Sequence, residues 1–227
     1  MKFFHSGDLG DIIASLPSVR ALGGGDFFIG EGFARESMRG NRFNAIKPLL
    51  EAQPYIRSVQ WSDDCPKGAK DFSTFRHDCI TGESLAHWQA RHLGVEISTE
   101  PWLTVPASDR AKGRAVIARS LRYHSRWYMW NTILKANPDA LFVGLREEYL
   151  HLSSTTQVKF EHQPTADLLE LASIIAGCKL FIGNQSCPWW IAFGLGVPTI
   201  QEVFSNSPNS RIEREGARYF DEPPFTL

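Results

Sequence analysis

The sequence has no excess of charge of either sign. Its 24 Lys and Arg against 25 Asp and Glu leave a formal net charge of -1, which gives no field for holding nucleic acid non-specifically. It has few cysteines and none in a metal-binding arrangement. Cys65, Cys79, Cys178 and Cys187 form no CxxC pair and have no His at ligand spacing, so a zinc module or disulfide framework is excluded and free thiols in a reducing compartment are expected. No run approaches the roughly 18 apolar residues of a membrane span, and Met1-Lys2-Phe3-Phe4-His5 lacks the long apolar core of a signal peptide. A cytoplasmic address is the expectation. Low-complexity tracts and short fixed-period repeats are also missing, which argues against disorder and against a solenoid.

What is present is ordinary globular material: 227 residues, 43% hydrophobic and 22% charged, enough for one core or for two domains of about 100 residues each. Short apolar runs alternate with helical patterns. Lys2-Phe3-Phe4 reads as a buried strand, Asp11 to Leu22 as a helix with Ile12, Leu16 and Val19 on one face, and Asp26 to Gly30 as the next strand, a parallel βαβ unit. A helix over 45–52, strands over 56–61 and 71–76 and a helix over 83–93 follow, and prolines and polar residues through Lys112 punctuate the chain. The alternation resumes with a strand over 115–118, a helix over 127–136, a strand over 140–144, a short helix over 146–150, a strand over 158–160 and a helix over 165–176. An apolar strand at 179–182, a helix from Trp189 to Leu195 and a strand over 198–203 complete it. The expected fold is therefore α/β, with two small Rossmann-like parallel-sheet domains facing across a cleft. Residues 1–110 form the first, 111–205 the second, and 206–227 a weakly structured tail that wraps back over the body.

In open parallel sheets ligands bind beyond the carboxyl ends of the strands, and His5, Asp8, Asp11, Arg119, Arg122, Arg146, Asn184, Gln185, Ser186 and Glu202 all follow predicted strands. Asp8 and Asp11 lie in a glycine-flanked turn at a helix start, where an aspartate is often a cap. One turn has no need of two caps, so the surplus carboxylate can serve as a base; His5 could do the same work or be a satisfied structural residue. Gly183-Asn184-Gln185-Ser186-Cys187-Pro188 is a strand–turn–helix junction, whose backbone N–H groups and dipole favour an anion. Arginine forks match phosphate oxygens, and Glu202 is either a ribose-hydroxyl acceptor or an ordinary exposed acid. Arg110, Lys112, Arg114, Arg119, Arg122 and Arg126 form an acid-free basic run, read either as a solvated face or as an anion-facing one. No clustered carboxylates suggest a divalent ion.

The stretch Asp8-Leu9-Gly10-Asp11-Ile12-Ile13-Ala14-Ser15-Leu16-Pro17 resembles the first loop and helix of the family 9 glycosyltransferases, the heptosyltransferase-like enzymes of the GT-B fold. Phe181-Ile182-Gly183-Asn184-Gln185-Ser186-Cys187-Pro188, continuing through Ala192 to Gly194-Leu195-Gly196-Val197-Pro198-Thr199, is similar to their donor motif. The two stand in the family's order, in what would be a shortened member. The resemblance implies a glycosyltransferase with Asp11 as catalytic base, a loop at Asn184, Gln185 and Ser186 that binds the donor's phosphates, and Arg119 or Arg122 as the basic residue after the first strand of the second domain. It also implies a nucleotide-sugar donor and no further cofactor. Where the family has an acid, a Gly and a His, this chain has Gln185, Cys187 and Trp190, so a heptose donor does not follow. The acceptor stays open among a glycan, a small molecule and a modified nucleic acid, and a non-catalytic nucleotide or nucleotide-sugar binding module is the alternative function.

Overall fold

The computed structural model describes residues 1–32, 34, 37–78, 82–125, 130–207 and 209–220. In the first half, β1 (Lys2–His5), α1 (Leu9–Ala21), β2 (Gly25–Ile29), α2 (Asn41–Glu51), β3 (Ile56–Trp61), β4 (Lys70–Asp71) and α3 (Leu85–His92) follow one another. Their four strands form a parallel sheet in the order β3-β2-β1-β4. The βαβ pairing expected of the first residues is present, with Phe3 opposite Phe27 and Phe4 opposite Phe28.

The second half runs β5 (Ala115–Ala118), α4 (Trp130–Ala136), β6 (Leu141–Val143), α5 (Arg146–Thr156), β7 (Glu161–Gln163), α6 (Leu168–Ala176), β8 (Leu180–Asn184), α7 (Cys187–Gly194), β9 (Thr199–Glu202) and β10 (Ala217–Phe220). Its six strands are all parallel in the order β10-β9-β8-β5-β6-β7. Short, wholly apolar strands such as Ala-Val-Ile-Ala suit this sheet because both its faces are covered. Val116 and Ala118 join one core, while Ala115 and Ile117 join a second with Trp130, Leu134, Phe142 and Ile182, the period-two alternation of a strand.

The two sheets are joined through helices. α1 packs on α7 and α2 on α6, and one continuous core runs from Phe3, Ile12 and Phe27 to Ile175, Trp189 and Phe193. The connecting segment is fastened on both sides. The N–H groups of Trp102 and Leu103 donate to the Gly194 carbonyl at 2.8 and 2.9 Å, and the Tyr55 hydroxyl donates to the Trp102 carbonyl at 2.7 Å.

Three expectations need correction. The strand expected over 71–76 is only Lys70–Asp71, because the Asp71 carboxylate takes the Ser73 N–H at 2.8 Å and turns the chain into a 3₁₀ turn at Phe75–Asp78. The strand expected over 158–160 lies at Glu161–Gln163; the carbonyls of Val158 and Phe160 are taken by Ser153 and Tyr149 side chains of α5, which itself runs to Thr156. The tail is not weakly structured throughout, since β10 pairs in parallel with β9 and the Tyr219 hydroxyl donates to the Ile212 carbonyl at 2.6 Å. Of the helix expected over 127–136, residues 127–129 lie outside the described residues, as do Cys79, Arg126 and 221–227 of the tail.

Candidate active site

Strand order reverses between β1 and β4 in the first sheet and between β5 and β8 in the second. These switch points, at the carboxyl ends of the strands, are where an open α/β sheet offers a crevice. The first carries His5, Asp8 and Asp11. The second carries Arg119, Arg122, Asn184, Gln185 and Ser186.

At the first, α1 starts one turn after β1, with Asp8 at its N-cap. The Asp8 N–H donates to Asp11 Oδ2 at 3.3 Å, so the Asp11 carboxylate reaches back over the helix start. The same oxygen accepts from Arg76 Nη2 at 2.7 Å. Asp11 is buried, and burial pushes its carboxyl above the ordinary carboxylate range while Arg76 opposes the rise. Gln89 Nε2 donates to the Asp11 carbonyl at 2.9 Å, fixing the backbone behind it. His5 lies wholly inside, stacked on Phe72, and its Nδ1 accepts the Gly7 N–H at 2.9 Å. Burial lowers its pKa to about 3, so the ring is neutral and shapes the turn. Only glycine fits at position 7, because a Cβ there would stand 2.6 Å from the His5 ring and 2.8 Å from Asp11 Oδ2.

At the second switch point the polar side chains build the loops. Asn184 is buried; its Oδ1 accepts the Ser120 N–H at 3.0 Å and its Nδ2 donates to the Ser120 carbonyl at 3.1 Å. Gln185 holds the opposite loop, accepting the Phe204 N–H at 2.6 Å and donating to the Ser207 carbonyl. Ser186 is the N-cap of α7, and its hydroxyl donates to the Asn184 carbonyl at 3.1 Å. Glu202 is wholly buried and grips the buried Arg119 in a two-point pair at 2.8 and 2.9 Å. It also accepts from Trp130 Nε1 at 3.0 Å and the Ser125 N–H at 2.8 Å. It is therefore neither an exposed acid nor a carboxylate turned toward a ligand. Arg146 is exposed at the start of α5.

The rest of the basic run is dispersed. Arg110, Lys112 and Arg114 precede β5 and meet Gln163, Asp109 and Glu161. Arg119 follows β5, roughly 17 Å along the strand direction from Arg114, and Arg122 lies in the loop beyond it. The described part of the run forms no single basic face.

The two switch points meet. A Cβ placed on Gly10 would lie 3.6 Å from the backbone nitrogen of Cys187, so the first turns of α1 and α7 abut. Arg122 Nη1 lies 4.0 Å from Asp8 Oδ2, and Arg42 Nη1 lies 3.6 Å from Asp8 Oδ1. Burial pushes the Cys187 thiol up to about 12. Glu148, in the first turn of α5, accepts the Leu145 N–H at 3.0 Å and is likewise raised by burial. Arg42, Arg76, Gln89 and Glu148 were not foreseen in the sequence. Arg76 stood inside an expected strand, and no spacing tied Arg42 to Asp8. A depression of about 280 Å³ lined by Ser108, Arg110, Asp167 and Glu170 includes none of the expected site residues.

Two Rossmann-like parallel-sheet units whose switch points face each other define the GT-B class of fold. Solved structures of that class match the chain over nearly its whole length. A family 9 glycosyl transferase from Veillonella parvula DSM 2008 aligns with a TM-score of 0.64 and 13% identity, covering 97% of this chain and 86% of that one. The E. coli heptosyltransferase WaaC with ADP gives 0.64 and 12%, covering 98% and 94%. The dodecameric iron-containing heptosyltransferase TibC, in complex with ADP-D-beta-D-heptose, gives 0.59 and 14%, covering 95% of this chain and 62% of that one. No protein-family model and no curated protein matches the sequence. The chain thus has the fold of the heptosyltransferase-like glycosyltransferases at very low sequence identity.

Proposed function

We propose that the protein is a glycosyltransferase that moves a sugar from a nucleotide-activated donor to an acceptor hydroxyl without a metal ion. The observation that carries this reading is that Asp11, a buried carboxylate with a raised pKa, lies in the first turn of α1, whose Gly10 abuts the N-terminus of α7. Residues 1–110 would be the acceptor side and 111–205 the donor side. Asp11 takes the proton of the acceptor hydroxyl, whose oxygen attacks the anomeric carbon. The bond from that carbon to the donor's diphosphate breaks, and the diphosphate leaves with the electron pair. Its growing charge is met by Arg122, Arg42 and the α7 dipole, groups already oriented before the reaction. Arg119, Asn184, Gln185 and Glu202 serve the donor by shaping the loops around it, Ser186 by starting α7, and Arg146 as a cation on the donor side.

The ligands named in the solved structures, ADP and ADP-D-beta-D-heptose, make an adenine nucleotide-sugar the first donor to try, and Gln185, Cys187 and Trp190 make a wider panel necessary. Wild-type protein incubated with nucleotide-sugars and candidate acceptors is expected to release free nucleotide, unaffected by EDTA. Asp11→Asn is expected to lower that release at least about a hundredfold, the low end for a general base. Full turnover by a folded Asp11→Asn protein sinks the assignment of the base, and loss of turnover in EDTA sinks the metal-free mechanism. The internal commitment of the Asn184, Gln185 and Glu202 side chains favours a second reading, a nucleotide-sugar binding module. Saturable binding with no nucleotide release from any donor would establish it.

A further inference from the structure

Asp8 stands where the two halves of the molecule meet, and its carboxylate faces a guanidinium from each. Arg42 comes from α2 and Arg122 from the loop after β5, at 3.6 and 4.0 Å. Those distances exceed the roughly 2.7–2.9 Å of a charge-assisted hydrogen bond. These two contacts are therefore ionic approaches rather than fitted forks. Two residues on, Gly10 lies against the first backbone nitrogen of α7. Two arginines and a helix N-terminus are the groups a diphosphate requires, and the chain's own anion sits among them.

We propose that Asp8 is a built-in competitor for the donor's diphosphate, its carboxylate and the phosphate oxygens contending for Arg42 and Arg122. This rests on the reading of the cleft as a donor site. The physical consequence is a diphosphate affinity below what the two arginines offer, with Asp8 returning to them as the nucleoside diphosphate departs. It also couples the halves, since the Arg122 side of the contact breaks when the carboxylate is displaced.

Asp8→Asn isolates the charge, because Asn is as good an N-cap as Asp and α1 keeps its start. Titration calorimetry with inorganic pyrophosphate, which needs no knowledge of the base, and with ADP, GDP, UDP and TDP compares wild type, Asp8→Asn, Arg122→Gln and the double variant, all checked for fold by thermal melting. Asp8→Asn is expected to bind pyrophosphate and the preferred nucleotide roughly threefold to fivefold more tightly, the worth of removing the partly exposed ionic contacts with Arg42 and Arg122. In the Arg122→Gln background the gain is expected to shrink, because the two residues act on each other. Equal or weaker binding by Asp8→Asn overturns the proposal, and so does a full gain without Arg122. Binding by wild type with no gain in Asp8→Asn refutes the competitor alone. Binding of none of these ligands by any of the proteins refutes the donor site as well.

Discussion

Replacing Arg76 by glutamine tests how the candidate base is kept usable. Asp11 is pulled in two directions: burial favours its protonated form, and Arg76, 2.7 Å away, favours the carboxylate. A hydrogen bond to a charged group contributes about 1.5–3 kcal/mol, but the Arg76 side chain is 44% exposed, and screening brings the figure down toward about 1 kcal/mol. The substituted glutamine can still donate a neutral hydrogen bond, so most of what disappears is the charge. With burial unopposed, the Asp11 carboxyl rises further. A general base works only when ionised, so the acid limb of kcat/KM moves to higher pH. At a fixed pH on that limb the rate falls about fivefold, the equivalent of about 1 kcal/mol, while the alkaline plateau stays nearly level. The assay is nucleotide release across pH 4.5–9 for wild type and Arg76→Gln. The same variant also separates the base from a merely structural acid, since a structural loss lowers the whole profile without moving its limb. An unmoved limb, or one displaced to lower pH, would refute the reasoning about Asp11.

Two other outcomes follow from buried groups. Glu202→Gln leaves Arg119 buried without its counter-charge, and breaking such a pair costs about 3–5 kcal/mol; urea unfolding checks this, and a loss under about 1 kcal/mol would show that the loop relaxes and hydrates Arg119. His5 has a folded pKa of about 3 against its ordinary 6.5, so the unfolded chain binds the proton more readily and stability falls as pH drops below about 6.5. By pH 5 this amounts to about 2 kcal/mol, and His5→Asn, whose side-chain oxygen can still accept the Gly7 N–H, is expected to remove that part of the slope; an unchanged slope would assign the acid sensitivity elsewhere.

The fold was legible where burial imposed a pattern. β3 and β5 lie at the expected residues, and the helices of the second half begin or end within a few positions of expectation; β5, covered on both faces, leaves the continuous run Ala-Val-Ile-Ala. It was illegible where a few side-chain hydrogen bonds overrode propensity. Asp71 stopped one strand, Ser153 and Tyr149 displaced another. β10 was hidden because Ala-Arg-Tyr-Phe, a four-residue edge strand, buries only Ala217 and Tyr219 in part, too little to mark four residues as a strand.

The site shows a different limit. Strand ends told which residues could face the cleft, and Asp8, Asp11 and Arg122 do come together there. What strand ends do not encode is side-chain direction, and that decides the roles. Asn184 and Gln185 point sideways into the flanking loops, and Glu202 points inward to Arg119. With those side chains committed to structure, the polar groups of the two switch points that remain are the backbone at the start of α7 and the arginines Arg42 and Arg122 beside Asp8. Gln185 and Cys187 flank Ser186, the N-cap of α7. The shape of the turn rests on the Asn184 and Gln185 side chains, which accept the backbone N–H groups of Ser120 and Phe204 and so satisfy donors that would otherwise be lost from the ladder.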